Sequence, residues 1–271
     1  MNPDILDDYK ARMYPDTDGA IRGYSQAIAL NPGDADAYRE RGQAYRSKSD
    51  FDNAISDYTQ AIGLDSGDAN AYIFRGLACD SKGDYDKAIA DFTRAIKLKP
   101  DYAYVYLSRG GAHNSRKDFD SAIADFARAI ELDPNYSVAY YSRGLAYKSK
   151  GDFESAIADY TQAIGLKPDD AVAYCGRGSA YSKKGGFDSA IADYGQVINL
   201  NPDLAAMAYL LRGGAYASKG DFDSAIADYT QAIKLDPADA DAYKARGEAY
   251  RSKGDIGSAD ADFDRANNLT R

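Results

Sequence analysis

Histidine is nearly absent from this 271-residue chain, with His113 the single one. Acid–base and nucleophile-pair chemistry therefore has almost no foothold, because the usual proton carrier is missing. There are two cysteines, Cys79 and Cys175, and no zinc-ligand spacing. No glycine-rich phosphate loop occurs. The acidic pairs Asp34/Asp36 and Asp239/Asp241 lack the glycine and the bidentate glutamate of a calcium loop. No enzyme activity, catalytic residue, metal or cofactor is expected.

Long apolar runs are missing too. No window reaches the roughly 18 apolar residues of a membrane-spanning helix, so no membrane insertion is expected. The opening stretch MNPDILDDYK is acidic and has no apolar signal core, which gives a cytoplasmic expectation. Nor is there an excess of positive charge. Lys and Arg number 33 against 42 Asp and Glu, for a net charge of −9, which argues against a nucleic-acid partner. Both signs are well represented, as on a solvated surface rather than an acidic tail.

What the chain does contain is tyrosine at a fixed period. Tyr38, Tyr72, Tyr106, Tyr140 and Tyr174 are each 34 residues apart; Tyr209 follows after 35, and Tyr243 after another 34. Such a period marks an array of stacked repeats. With Ala35 as repeat position 1, full repeats begin at Ala35, Ala69, Ala103, Ser137, Ala171, Ala206 and Ala240, and Ala205 is the one inserted residue. Met1 falls at position 1 of an earlier, worn unit. Each unit of an array packs only on its neighbours, so this length does not require separate cores. Cys79 and Cys175 lie three repeats apart, beyond the ~7 Å reach of a disulfide, and are expected to be free.

Two helical periods appear in each unit. Tyr140, Gly144 and Tyr147 recur at i, i+4 and i+7, and Ala156, Tyr160, Ala163 and Ile164 form a second stripe. Between them lies Lys150-Gly151-Asp152. The glycine supplies a left-handed residue to end the first helix, and Asp152 suits the N-cap of the second. Pro168 stops the second helix.

The run Tyr140-x2-Arg143-Gly144-x2-Tyr147, then Ala156-x3-Tyr160, then Pro168, resembles the tetratricopeptide repeat. That family's pattern is Trp-x2-Leu-Gly-x2-Tyr, then Ala-x3-Phe, then Pro. The resemblance covers essentially the whole chain. It implies an all-α fold, a right-handed α-solenoid or superhelix of stacked helix-turn-helix repeats. Residues 1–271 would form one solenoid, with a degenerate first repeat over 1–34, six full repeats over 35–239 and a C-terminal capping repeat over 240–271. The near-identity of units such as DFDSAIADYTQAI is similar to prokaryotic arrays of this family.

The departures from the family pattern are themselves regular. Tyr stands for Trp at position 4, and position 7 is Arg in every full repeat, from Arg41 through Arg75, Arg109, Arg143, Arg177 and Arg212 to Arg246. Position 23 is as uniformly Asp: Asp57, Asp91, Asp125, Asp159, Asp193, Asp228 and Asp262. Two ladders at one spacing suggest an Arg–Asp pair between helices; the alternative is an arginine track for an anionic ligand. A residue demanded in every repeat answers first to that repeat's own neighbours, which favours the pair. His113 and Cys79 sit at position 11, where the five other repeats carry Tyr, and read as packing substitutes.

The ends differ from the middle. Positions 21 and 28 are Ile in the other units but Asp260 and Asn267 in the last, as a solvent-facing cap requires. At the other end Asp4 and Asp8 stand where Tyr and Gly belong, although Ile5, Leu6, Tyr9 and Met13 could form a shifted stripe.

Positions 2, 5, 9 and 12 of the first helix face away from its partner, and in the family this face lines a concave groove. Here it is apolar in the middle of the chain. It reads Ile73 and Leu77, Tyr104 and Leu107, then Val138, Tyr141 and Leu145, followed by Val172, Cys175, Met207 and Leu210. Arg39, Arg46, Lys148, Lys244 and Arg251 would form a charged rim. So many apolar groups facing solvent are expected to be covered. An amphipathic helix or extended peptide fits; a second copy of the chain or internal packing are the alternatives.

Some members of the family clamp the acidic tails of heat-shock chaperones with Lys and Asn at fixed positions. Here the nearest start is Arg39 and Gln43, but the following repeats supply Phe74, Tyr104 and Ser108. That carboxylate clamp is absent. The sequence therefore implies a non-enzymatic scaffold or adaptor for a protein or peptide ligand, or else a module that forms homo-oligomers through the same surface.

Overall fold

The computed structural model describes residues 16–270, which are helical throughout apart from turns, with no strand among them. Asp4, Ile5, Leu6, Asp8, Tyr9 and Met13 lie outside the described residues. The chain divides into two compact units, Met1–Pro134 and Asn135–Arg271.

In the first unit α1 (Thr17–Leu30), α2 (Ala35–Ser47), α3 (Phe51–Leu64), α4 (Ala69–Ser81), α5 (Tyr85–Leu98), α6 (Ala103–Ser115) and α7 (Phe119–Leu132) follow one another, and within the unit each helix packs on its neighbours in the chain. The second unit repeats the scheme with α8 (Ser137–Lys150), α9 (Phe153–Leu166), α10 (Ala171–Lys183), α11 (Phe187–Leu200), α12 (Ala205–Ser218), α13 (Phe222–Leu235), α14 (Ala240–Ser252) and α15 (Ile256–Leu269). A short 3-10 turn, Pro202–Leu204, precedes α12, and the inserted Ala205 becomes that helix's first residue. The fold is the all-α solenoid architecture of stacked helix pairs.

Local chemistry places the helix ends. Gly151 ends α8 at φ +86°, the left-handed region that costs an L-residue about 1–2 kcal/mol but costs glycine little. Asp152 then accepts a hydrogen bond from the Ser155 backbone N–H at 3.1 Å and caps α9. The same turn recurs in each full repeat, but Ser49 (φ 60°) and Lys117 (φ 63°) occupy its left-handed position without being glycine.

Pair packing follows from a size rule. A ring at position 24 of each second helix from α3 onward enters a gap left by small residues on the first helix. Phe126 shows how tight the fit is, since a Cβ on Gly110 would stand 2.7 Å from its Cε1. Tyr58, Phe92, Tyr160, Tyr194 and Tyr229 occupy the equivalent buried place. Alanines such as Ala54, Ala88, Ala156 and Ala225 complete the core, so its density comes from close helix approach rather than from large aliphatic groups. On the last helix, Asp260 and Asn267 are exposed, and the equivalent ring, Phe263, is covered by the Arg251 guanidinium at 4.5 Å from its centroid.

Candidate functional site

The arginine ladder is a structural element of each unit. Every position-7 arginine donates from Nε and Nη2 to the two carboxylate oxygens of its position-23 aspartate, at 2.6–2.9 Å throughout. The aspartates are buried, and each guanidinium also lies 5.3–5.8 Å from the ring centroid of the tyrosine at position 4. This accounts for the shared appearance of Tyr, Arg and Asp at those three positions: bidentate pairing fixes the helix pair, and the ring stacks on the cation.

The remaining Nη1 reaches the preceding repeat. Arg41 donates to Ser25 Oγ, Arg75 to Thr59, Arg109 to Thr93, Arg177 to Thr161 and Arg246 to Thr230, at 3.0–3.1 Å. Arg212 meets Gly195 at that place and gains no such bond. These arginines spend their donors inside the protein, so they form no track for an anionic ligand. A second, exposed ladder joins position 14 to position 18 of the repeat before it. Examples are Arg116 with Asp86 at 2.7 Å, Lys184 with Glu154 at 2.6 Å, and Lys82 with Asp52.

The free face of the first helices is graded by position. In the second unit Val138, Val172 and Met207 occupy repeat position 2, on α8, α10 and α12, and are exposed by 50%, 47% and 43%. Beneath them Tyr141, Leu145, Cys175 and Leu210 are half-buried. Tyr141 packs on Tyr160 with ring centroids 5.6 Å apart, and Leu210 leans on Tyr229 and Ile233. Lys148 is half-buried, whereas Lys244 and Arg251 are exposed. Burial raises the Cys175 thiol above its ordinary pKa, which disfavours the reactive thiolate.

In the first unit Tyr104 is exposed and tilts against exposed Tyr102, centroids 5.9 Å apart. Leu77 and Leu107 are half-buried. Ile73 departs from the expectation. It is 2% exposed and packs with Phe92 and Val105 in the core, so it offers no surface to a ligand. Its branched side chain at position 5 reaches the seam with the next repeat, where it is more useful than at the surface. Arg39 is likewise no free rim charge. Its guanidinium is held by Asp36 at 2.6 Å, Asp68 at 2.7 Å and Glu40 at 3.2 Å. Arg46 lies over the Phe74 ring at 5.9 Å.

Position 12 adds polar features that apolar patterning passes over. Asp80 on α4 and Asn114 on α6 each bury an Oδ1 atom that accepts no hydrogen bond. The Tyr160 hydroxyl is similarly without a partner. His113 sits 3.2 Å from Asp118 through Nδ1 and 4.0 Å from Asp125 through Nε2, in the place tyrosine takes elsewhere. Cys79 and Cys175 are both free. No helix among the described residues is long and apolar enough to cross a membrane.

Comparison with known families agrees with this architecture. One tetratricopeptide-repeat profile matches residues 16–69, 75–137 and 175–229, together more than half of the chain. A second matches 126–158, and a TPR-repeat profile matches 144–185 and 213–254. The chain belongs to the tetratricopeptide-repeat family.

Solved structures show the same TPR fold. The chain is similar to MamA at 30% identity and a TM-score of 0.58, over 60% of this chain and 96% of that one. It is also similar to the C-terminal part of a TPR repeat-containing protein from Cytophaga hutchinsonii, at 18% identity and a TM-score of 0.72, over 88% and 98% of the two chains. A third, YrrB, described as a TPR protein with an unusual peptide-binding site, has 24% identity and a TM-score of 0.57, over 66% and 93%. A search of curated proteins gives no match. TPR arrays serve as protein-interaction scaffolds, and this chain carries that architecture.

Proposed function

We propose that this TPR protein is a non-enzymatic adaptor that holds an apolar or amphipathic peptide segment against the free faces of its first helices. The carrying observation is the row Val138, Val172 and Met207, three large apolar side chains at one repeat position and each more than two-fifths exposed. Half-buried Tyr141, Leu145, Cys175 and Leu210 give that row a floor into which a ligand side chain can seat. An amphipathic helix presenting i, i+3, i+4 anchors, or an extended segment, has the matching chemistry.

The test is a pull-down from native lysate with wild type and Leu145→Glu as paired baits, read by mass spectrometry. A protein kept by wild type and lost by the variant supports the reading and names the client. Recovery of the same proteins by both baits would remove it. Recovery of the chain itself by wild type alone would replace it with self-association.

A further inference from the structure

The first unit carries a polar arrangement that an apolar ligand does not explain. Asp80 is half-buried on the free face of α4, one turn beyond Leu77, and forms no ion pair with the described residues. The buried aspartates of the same unit, Asp57, Asp91 and Asp125, are each gripped by an arginine. The cation at Asp80's own repeat position, Arg46, is turned onto the Phe74 ring instead. Half-buried Leu77 and Leu107, with exposed Tyr104, supply the apolar surround on the same face.

A partly buried carboxylate without a counter-charge is unfavourable in the free protein, because it gives up hydration and receives nothing in return. Here that desolvation pushes the Asp80 carboxyl above the ordinary carboxylate range. The chemical complement of such a carboxylate is a cationic N–H donor flanked by apolar groups.

We infer that Asp80 recognises a basic side chain, lysine or arginine, within an otherwise apolar peptide laid on the first unit's free face. Asp80 supplies the charge, and Leu77, Leu107 and Tyr104 take the flanking apolar residues. This rests on the peptide-binding reading above and specifies the ligand's charge. It is opposite in sign to recognition of an acidic tail.

A random-sequence phage-displayed peptide library panned on the full chain supplies the probe. Recovered peptides are synthesised, and their Kd values measured for wild type, Asp80→Asn, Asp80→Glu, Leu107→Glu and Leu145→Glu, each checked for helicity by circular dichroism. The expected peptides carry Lys or Arg between apolar residues. Their binding weakens by about tenfold or more in Asp80→Asn, as for loss of a charge-assisted pair. Asp80→Glu retains most of it. Replacing the basic residue with norleucine produces the same loss, with no further loss in Asp80→Asn. Peptides that tolerate Asp80→Asn, but respond to Leu107→Glu or Leu145→Glu, overturn the role of Asp80 and leave peptide binding standing. If no peptide is recovered, or none responds to either leucine substitution, both readings fall.

Discussion

Arg109 holds Asp125 with two parallel hydrogen bonds, Nε to Oδ2 at 2.8 Å and Nη2 to Oδ1 at 2.6 Å, while its third nitrogen reaches Thr93 of the preceding repeat at 3.0 Å. One side chain thus joins the two helices of its own repeat and ties that repeat to its neighbour. Removing only one partner leaves the other charge desolvated. Arg109→Ala is expected to destabilise the chain by roughly 3 kcal/mol, the low end for breaking a buried pair because the guanidinium is one-fifth exposed. The double variant Arg109→Leu/Asp125→Ala should recover much of that loss, since no lone charge remains. Urea unfolding of the three proteins checks this. A double variant less stable than Arg109→Ala would show that the pair is worth more than its desolvation.

The first-helix turn gives a stabilising substitution. Lys117 sits at φ 63°, whereas five repeats place glycine at the same position. Relief of left-handed strain outweighs the added freedom of glycine in the unfolded chain, so Lys117→Gly should stabilise by up to about 1 kcal/mol. Gly83→Ala should lose a similar amount. Paired thermal melts decide the matter, and a lower Tm for Lys117→Gly counts against it.

Tyr160 is fully buried, and its hydroxyl has no partner. Burial holds its phenol well above the ordinary tyrosine pKa, as expected of an oxygen that must stay neutral. Phe92 and Phe126 fill the equivalent place without a hydroxyl. Tyr160→Phe should therefore stabilise, by roughly 1 kcal/mol, through removal of an unsatisfied polar group. A fall in Tm on this substitution would indicate an ordered water bound to the oxygen.

Much of this architecture was legible in the sequence because a repeat writes its constraints many times. The matched Arg and Asp spacing points to a pair between helices, and the distances show that pair to be bidentate. Free-face positions were harder to read. Ile73 shares the helical position of Leu107 and Cys175, yet it is drawn into the core by Val105 and Phe92 of its neighbourhood. Arg39 looked like a rim charge, but its partners lie at other repeat positions and on the next repeat's cap. Asp80 was invisible to an apolar stripe, because its interest lies in what it fails to pair with. Periodicity reports what every repeat shares, whereas a ligand is recognised by what only one or two repeats contain.

Asp80 also links pH to stability in a defined direction. Its folded pKa is raised by burial, so the folded chain holds this proton more tightly than the unfolded chain does. The contribution to stability is then favourable at low pH, and it is lost as pH rises from the unfolded value of about 3.9 through the higher folded value. At neutral pH the ionised carboxylate is a net cost that Asp80→Asn removes. The variant should melt above wild type at pH 7, with the gap narrowing as pH falls toward 4 and below. The same substitution should weaken basic peptides, so stability and binding move in opposite directions, as for a group kept for function. Tm differences across that pH range test the sign. A gap that widens on acidification would mean that Asp80 is stabilised as a carboxylate, and the basis for assigning it a cationic ligand would be gone.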